Sequence, residues 1–121
     1  MERLVDQRLL TSPDETRKFP LGQVEVVRLG ERSVGCLTLQ PGFRWSDHVR
    51  PIAKTELCQE RHMGYHVSGR FHVRMGDGRE FEIGAGEVAC IQPGHDAWVV
   101  GSVPVVMIDW EAAEGFARPG A

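Results

Sequence analysis

The chain has 121 residues, with 14 Lys and Arg against 17 Asp and Glu for a formal charge of −3, which is the size of one domain with an ordinary buried core. Near-neutral charge without a basic run argues against a nucleic-acid face, and no stretch of about 18 apolar residues offers a membrane span. The opening MERLVDQRLLTSPDETRKF is broken by charges before an apolar leader could form, so a soluble, cytoplasmic protein is expected.

Fourteen Gly and seven Pro punctuate the chain at short intervals, which favours many short strands joined by tight turns. In chain order the strand-like segments are QVEVVRL, SVGCLTLQ, YHVSG, RFHVRM, REFEI, EVACIQ, AWVV and PVVMIDW. RMGDGREFEI reads as a hairpin, because Gly76, Asp77 and Gly78 supply the positive-φ positions of a short connection. Strands in this number indicate a sandwich or barrel. Helical candidates are limited to a turn in AKTELCQE and the C-terminal EAAEGFA. The expected plan is one domain: N-terminal strands over 1–40, a barrel core over 41–110 and a short tail over 111–121.

The stretch CQERHMGYHVSGR sets Cys58, His62 and His66 at four-residue intervals before a Ser68-Gly69 turn. In a strand His62, Gly64 and His66 share a face, and an extended chain upstream adds Glu56 and Cys58 to it. Thiolate, imidazole and carboxylate together suit zinc or another borderline divalent ion. The alternative is a hydrogen-bonded histidine beside a small hydrophobic thiol. Cys58 with His62 or His66 as base also makes a candidate nucleophile, which would need an oxyanion donor.

Elsewhere, His72 alternates with Phe71 and Val73 beside Arg70 and Arg74 and is expected outside. Cys36 and Cys90 lie in apolar runs and are expected as core thiols. With three widely spaced cysteines, no disulfide framework is indicated. Trp98 is expected to pack in the core, and Trp45 either lines a pocket or caps the core. RWSDHVRP gathers Arg44, Trp45, His48 and Arg50, which suits either a small anionic substrate or a solvated loop.

Two segments resemble the cupin superfamily, whose motifs are G-x5-H-x-H-x3-4-E-x6-G and G-x5-P-x-G-x2-H-x3-N. Of the first, the chain has Gly42, His48 and, further on, His62 followed by MGYHVS and Gly69. Of the second it has Gly86, EVACI and then QPG with Gly94. GYHVSGR and QPGHDAWVVG are similar to segments of small stand-alone bacterial cupins. The resemblance implies an all-β jelly-roll barrel of antiparallel strands, a homodimer pairing through QVEVVRL or a neighbouring strand, and a cavity that binds a small molecule. One registration of the metal slots places His48, Arg50, His62 and Ala97 in them. A second, which keeps the local spacing, puts Glu56 and Cys58 in the two histidine slots and His62 in the glutamate slot. The expected metal ligands are therefore Cys58, His62 and Glu56, holding Zn or Fe, Mn or Ni, with Trp45, His48, His66 and His95 on the small-molecule ligand. The resemblance places His95 at the barrel mouth, as a ligand, a gate or a solvated tip. Metal-assisted chemistry and metal-free binding or sensing both fit this reading.

Overall fold

The computed structural model describes residues 4–120. Its strands are β1 (Glu15–Phe19), β2 (Gly22–Leu29), β3 (Arg32–Leu39), β4 (His62–Ser68), β5 (Arg70–Met75), β6 (Glu80–Gly84), β7 (Val88–Ile91), β8 (His95–Val100) and β9 (Val105–Asp109), with two one-turn helices, α1 (Trp45–His48) and α2 (Arg50–Ala53), between β3 and β4. One sheet has the order β1-β2-β3-β9-β4-β7 and the other β6-β5-β8. Every pairing is antiparallel. The two ladders form a jelly roll of two sheets without closing into a continuous barrel.

Alternation decides what fills the space between the sheets. Val24 and Val26 of β2, Leu37 and Leu39 of β3, Val105 and Met107 of β9, Phe71 and Val73 of β5, and Ala97 and Val99 of β8 are buried in one cluster. The same inward faces also carry His62 and His66 on β4, His95 on β8 and Asp109 on β9. A polar set is thus delivered to the interior by the periodicity that builds the core.

Two glycines are required by close approach. A Cβ on Gly64 would sit 2.1 Å from the Ile108 carbonyl oxygen, so β4 lies against β9 with Gly64 opposite Asp109. Gly69 turns β4 into β5 at φ +79°, where a side chain would also strike the Pro104 carbonyl.

Several sequence expectations are corrected. QVEVVRL is β2 and has β1 and β3 on its two edges, so the open edges of that sheet are β1 and β7. RWSDHVRP is helical rather than loop, whereas EAAEGFA forms turns. The segment after β9 is packed into the core through Ala112, Ala113 and Phe116. Arg17 donates to the Ala113 and Phe116 carbonyls and so ties that segment down. Cys90 is exposed and Cys36 half-buried, because each points away from the inward face of its strand. His72 is on the outer face, where it bonds Glu80 at 3.0 Å and stacks on Trp98 at 4.7 Å. Trp98 is not a core residue: it is half-buried, with the Arg44 guanidinium 4.0 Å over its ring.

Candidate metal centre

Cys58 precedes β4 and is fixed by backbone pairing with the start of β8. Its N–H donates to the His95 carbonyl at 2.8 Å, and Gly94 N–H donates to the Cys58 carbonyl at 2.7 Å. That bridge sets Cys58 beside His95, while alternation on β4 aims His62 at both. The ligating atoms of Cys58, His62 and His95 all lie within 4.8 Å of one another, and all three residues are buried. Cys58 Sγ is 3.8 Å from His62 Nε2. Tetrahedral zinc with sulfur and nitrogen ligands needs ligand separations of about 3.5 Å, so a small adjustment closes the set around an ion.

Each imidazole is oriented from behind. His62 Nδ1–H donates to Asp109 Oδ2 at 2.6 Å, and Asp109 Oδ1 accepts from the Glu111 and Ala112 amides at 2.8 and 2.9 Å. His95 Nδ1–H donates to the Gln92 carbonyl at 2.6 Å. A carbonyl or carboxylate partner fixes the proton on Nδ1 and leaves Nε2 as the ligating atom.

Charge on this cluster follows from its contacts. Burial raises the Cys58 thiol, but hydrogen bonds from His62 and His95 outweigh it and bring it down to about 6. Burial likewise opposes protonation of His62, yet Asp109 and Cys58 hold its pKa well above the ordinary histidine range. Asp109 is raised by burial and more strongly lowered by His62 and its two amide donors. The contacts thus favour the charged forms of Cys58, His62 and Asp109 over the neutral ones.

Between the sheets, His62 and His95 line a cavity of about 20 Å³ together with Trp45, Phe71, Ile91 and Phe116. A space of that size admits one water-sized group. An open groove of about 440 Å³ between β6 and β7 lies outside it and shares only Ile91 with its lining. Phe116 stands edge-on to His62 at 5.3 Å, so the segment after β9 forms part of the wall.

The remaining expected site residues are distributed around this cluster. Glu56 is exposed in the bend at 55–57 and lies outside it, because the chain is not extended there and alternation does not apply. His48 is half-buried in α1, its Nδ1 against the Arg44 backbone and its ring stacked on Phe43 at 5.7 Å. Trp45 is buried and lines the cavity. His66 is buried on the inward face, and neither of its ring nitrogens has a partner; burial lowers its pKa. Asp96, next to His95, is buried rather than a solvated tip, and it accepts from Ser46 N and Oγ. Asp109 did not emerge from the motifs. Its signal was a carboxylate in phase with Val105 and Met107.

No protein-family model matches the chain, and no curated protein does. Among solved structures, oxalate decarboxylase from Bacillus subtilis aligns with a TM-score of 0.57 at 16% identity, over 91% of this chain and 31% of that one. The iron(II) protein HppE gives 0.58 at 8% identity, over 91% of this chain and 62% of that one. A DUF1255 protein of unknown function from Acinetobacter sp. gives 0.55 at 12% identity, over 81% of this chain and 90% of that one. At these identities the likeness concerns fold alone. With both motif remnants in order and this sheet topology, the chain has the cupin fold, as a small all-β jelly roll.

Proposed function

We propose that the protein is a small-molecule-binding cupin built around a single divalent metal held by Cys58, His62 and His95. The observation that carries this reading is the orientation of the two imidazoles. Each gives its Nδ1–H to an oxygen, Asp109 Oδ2 or the Gln92 carbonyl, and keeps Nε2 for the buried thiol cluster. Bound there, a metal supplies Lewis acidity or an activated water at its open position. The protein's own residues do the rest. Asp109 keeps the His62 tautomer, the backbone bridge positions the Cys58 sulfur, and Phe43, Phe71, Ile91 and Phe116 exclude bulk water. Solved neighbours named for iron(II) and for Mn(II) centres support the metal class. Nitrogen and sulfur donors favour zinc or iron(II) over harder ions.

A second reading has its own observation. Cys58, His62 and Asp109 also form a thiol, imidazole and carboxylate series with steps of 3.8 and 2.6 Å. Cys58 is fully buried, and two imidazoles rather than one face its sulfur, which suits a metal better than a nucleophile with one base. A metal-free binding or sensor domain is the remaining alternative. Elemental analysis separates them: near one equivalent of metal in wild type and none in Cys58→Ser supports the metal centre. Metal-free wild type that retains ligand binding supports the sensor.

The expected homodimer fits β7 better than β1 as its pairing edge, since VACI carries no charge and ETRKF carries three. Among the described residues no helix is long and apolar enough to cross a membrane.

A further inference from the structure

The cluster at Cys58, His62 and His95 is sealed: Cys58 has no exposed surface, and the two histidines are 5% and 2% exposed. Anything that reaches their atoms from solvent enters where part of the wall moves. Much of the wall is held in ladders, since Leu37, Ile91, Ala97 and Met107 lie on paired strands. Trp45 is fixed on α1, where Ser46 donates through both N and Oγ to Asp96 of β8, and the Phe43 carbonyl accepts from Val99 N–H. Phe116 is held differently. It belongs to residues 113–120, which form turns after β9 and join no strand or helix, and its ring stands 5.3 Å from that of His62.

Side chains of the first two strands hold that segment in place. Arg17 of β1 donates Nε–H to the Phe116 carbonyl at 2.9 Å and a second N–H to the Ala113 carbonyl. Arg28 of β2 pairs with Glu114 at 2.8 Å, and Arg118 pairs with Glu15 of β1 at 2.9 Å. A backbone bond from Gly120 N–H to the Ala53 carbonyl adds one tie to α2. Besides Phe116, the buried side chains of the segment are the alanines 113 and 117, so little apolar area resists its opening. Ala117 stands at φ +60°, a left-handed conformation unfavourable for alanine, so the closed form leans on its ties rather than on backbone preference. Upstream, Asp109 Oδ1 accepts from the Glu111 and Ala112 amides and anchors the chain, which places the pivot after Ala112. We propose that residues 113–120 are a strap, latched by Arg17 and Arg28, whose local opening lifts Phe116 away from His62 and admits ions and small reagents to the cluster while the ladders stay closed. As the route of the metal this rests on the metal reading; exposure of the Cys58 thiol does not.

Hydrogen exchange by mass spectrometry, run beside iodoacetamide labelling of Cys58 on chelator-treated protein, tests the strap in wild type, Arg17→Gln and Glu114→Gln. Peptide mapping separates Cys58 from the exposed Cys90 and the half-buried Cys36. The expected result is that the Phe116 and Gly120 amides exchange faster than those of β4 and β9. Arg17→Gln should speed both strap exchange and Cys58 labelling by about tenfold, and Glu114→Gln by about twofold, with β4 and β9 exchange unchanged. Glu114 lies at the rim, so its variant reads the latch if Arg17→Gln fails to fold. Cys58 labelling unchanged in the folded variants, labelling that rises only together with β4 and β9 exchange, or strap amides as slow as the ladders would overturn the strap. Failure to take up zinc by a wild type whose Cys58 labelling follows strap exchange would overturn the metal reading and leave the strap standing.

Discussion

The cluster at Cys58, His62 and His95 and a second set of residues, Trp45, Arg50 and His66, are opposite in how their buried polar atoms are satisfied. In the first, Asp109 and the Gln92 carbonyl hold both imidazoles, and Asp109 is itself held by two amides. In the second, Trp45 Nε1, Arg50 Nε and both His66 nitrogens have no partner. A satisfied buried network is rigid and preorganised. An unsatisfied one is a cost of the empty protein that a ligand or ordered water removes. The first set is built to hold its atoms still; the second leaves its donors and ring nitrogens without a protein partner.

The largest effect should come from breaking the satisfied side. Asp109→Ala strands the His62 imidazolium and two amides, and should lower stability by about 3–5 kcal/mol in urea denaturation. Asp109→Asn should keep the fold but lose metal affinity, through loss of the charge behind His62. Gly64→Ala attacks the same contact through the backbone, since its Cβ would meet the Ile108 carbonyl; about 1–3 kcal/mol is expected by the same assay.

The pH response comes next. His62 has a raised pKa and carries a proton near neutrality that a metal must displace, so affinity should rise with pH, by about tenfold per unit for each proton released. Cys58 is already a thiolate above about pH 6, so it adds a second proton to the count only below that point. Competition titrations with a chelator between pH 5 and 8 should show the slope steepening toward acid; a flat profile would contradict the assignment. The smallest effect belongs to the unsatisfied side. His66→Leu deletes two orphaned nitrogens and should leave ligand-free stability unchanged or raise it by about 1 kcal/mol. A large loss would mean that His66 has a structural partner after all.

Sequence alone supplied eight of the nine strands and the cupin resemblance because alternation and turn glycines are local signals; β1 was missed because ETRKF carries three charges and only one buried residue. It placed Cys58 near His62 for a reason the fold partly replaces: Cys58 arrives by bridging to His95 rather than by extending β4. Glu56 illustrates the limit of alternation, which ends where the chain bends. Asp109 was hidden because its pairing with His62 depends on β4 meeting β9 in one register, a contact across 47 residues. One-turn helices such as α1 and α2 are too short to show a 3.6-residue period, so Trp45 and Arg50 could be listed together but not oriented.

The central claim is the metal at Cys58, His62 and His95, and inductively coupled plasma mass spectrometry of the purified protein, beside Cys58→Ser prepared identically, tests it most directly. The account predicts near one equivalent of a transition metal in wild type, zinc or iron(II) by donor type, and less than about a tenth of that in a folded Cys58→Ser variant. Equal metal content in the two proteins, or none in wild type even after incubation with zinc or iron(II), would contradict it.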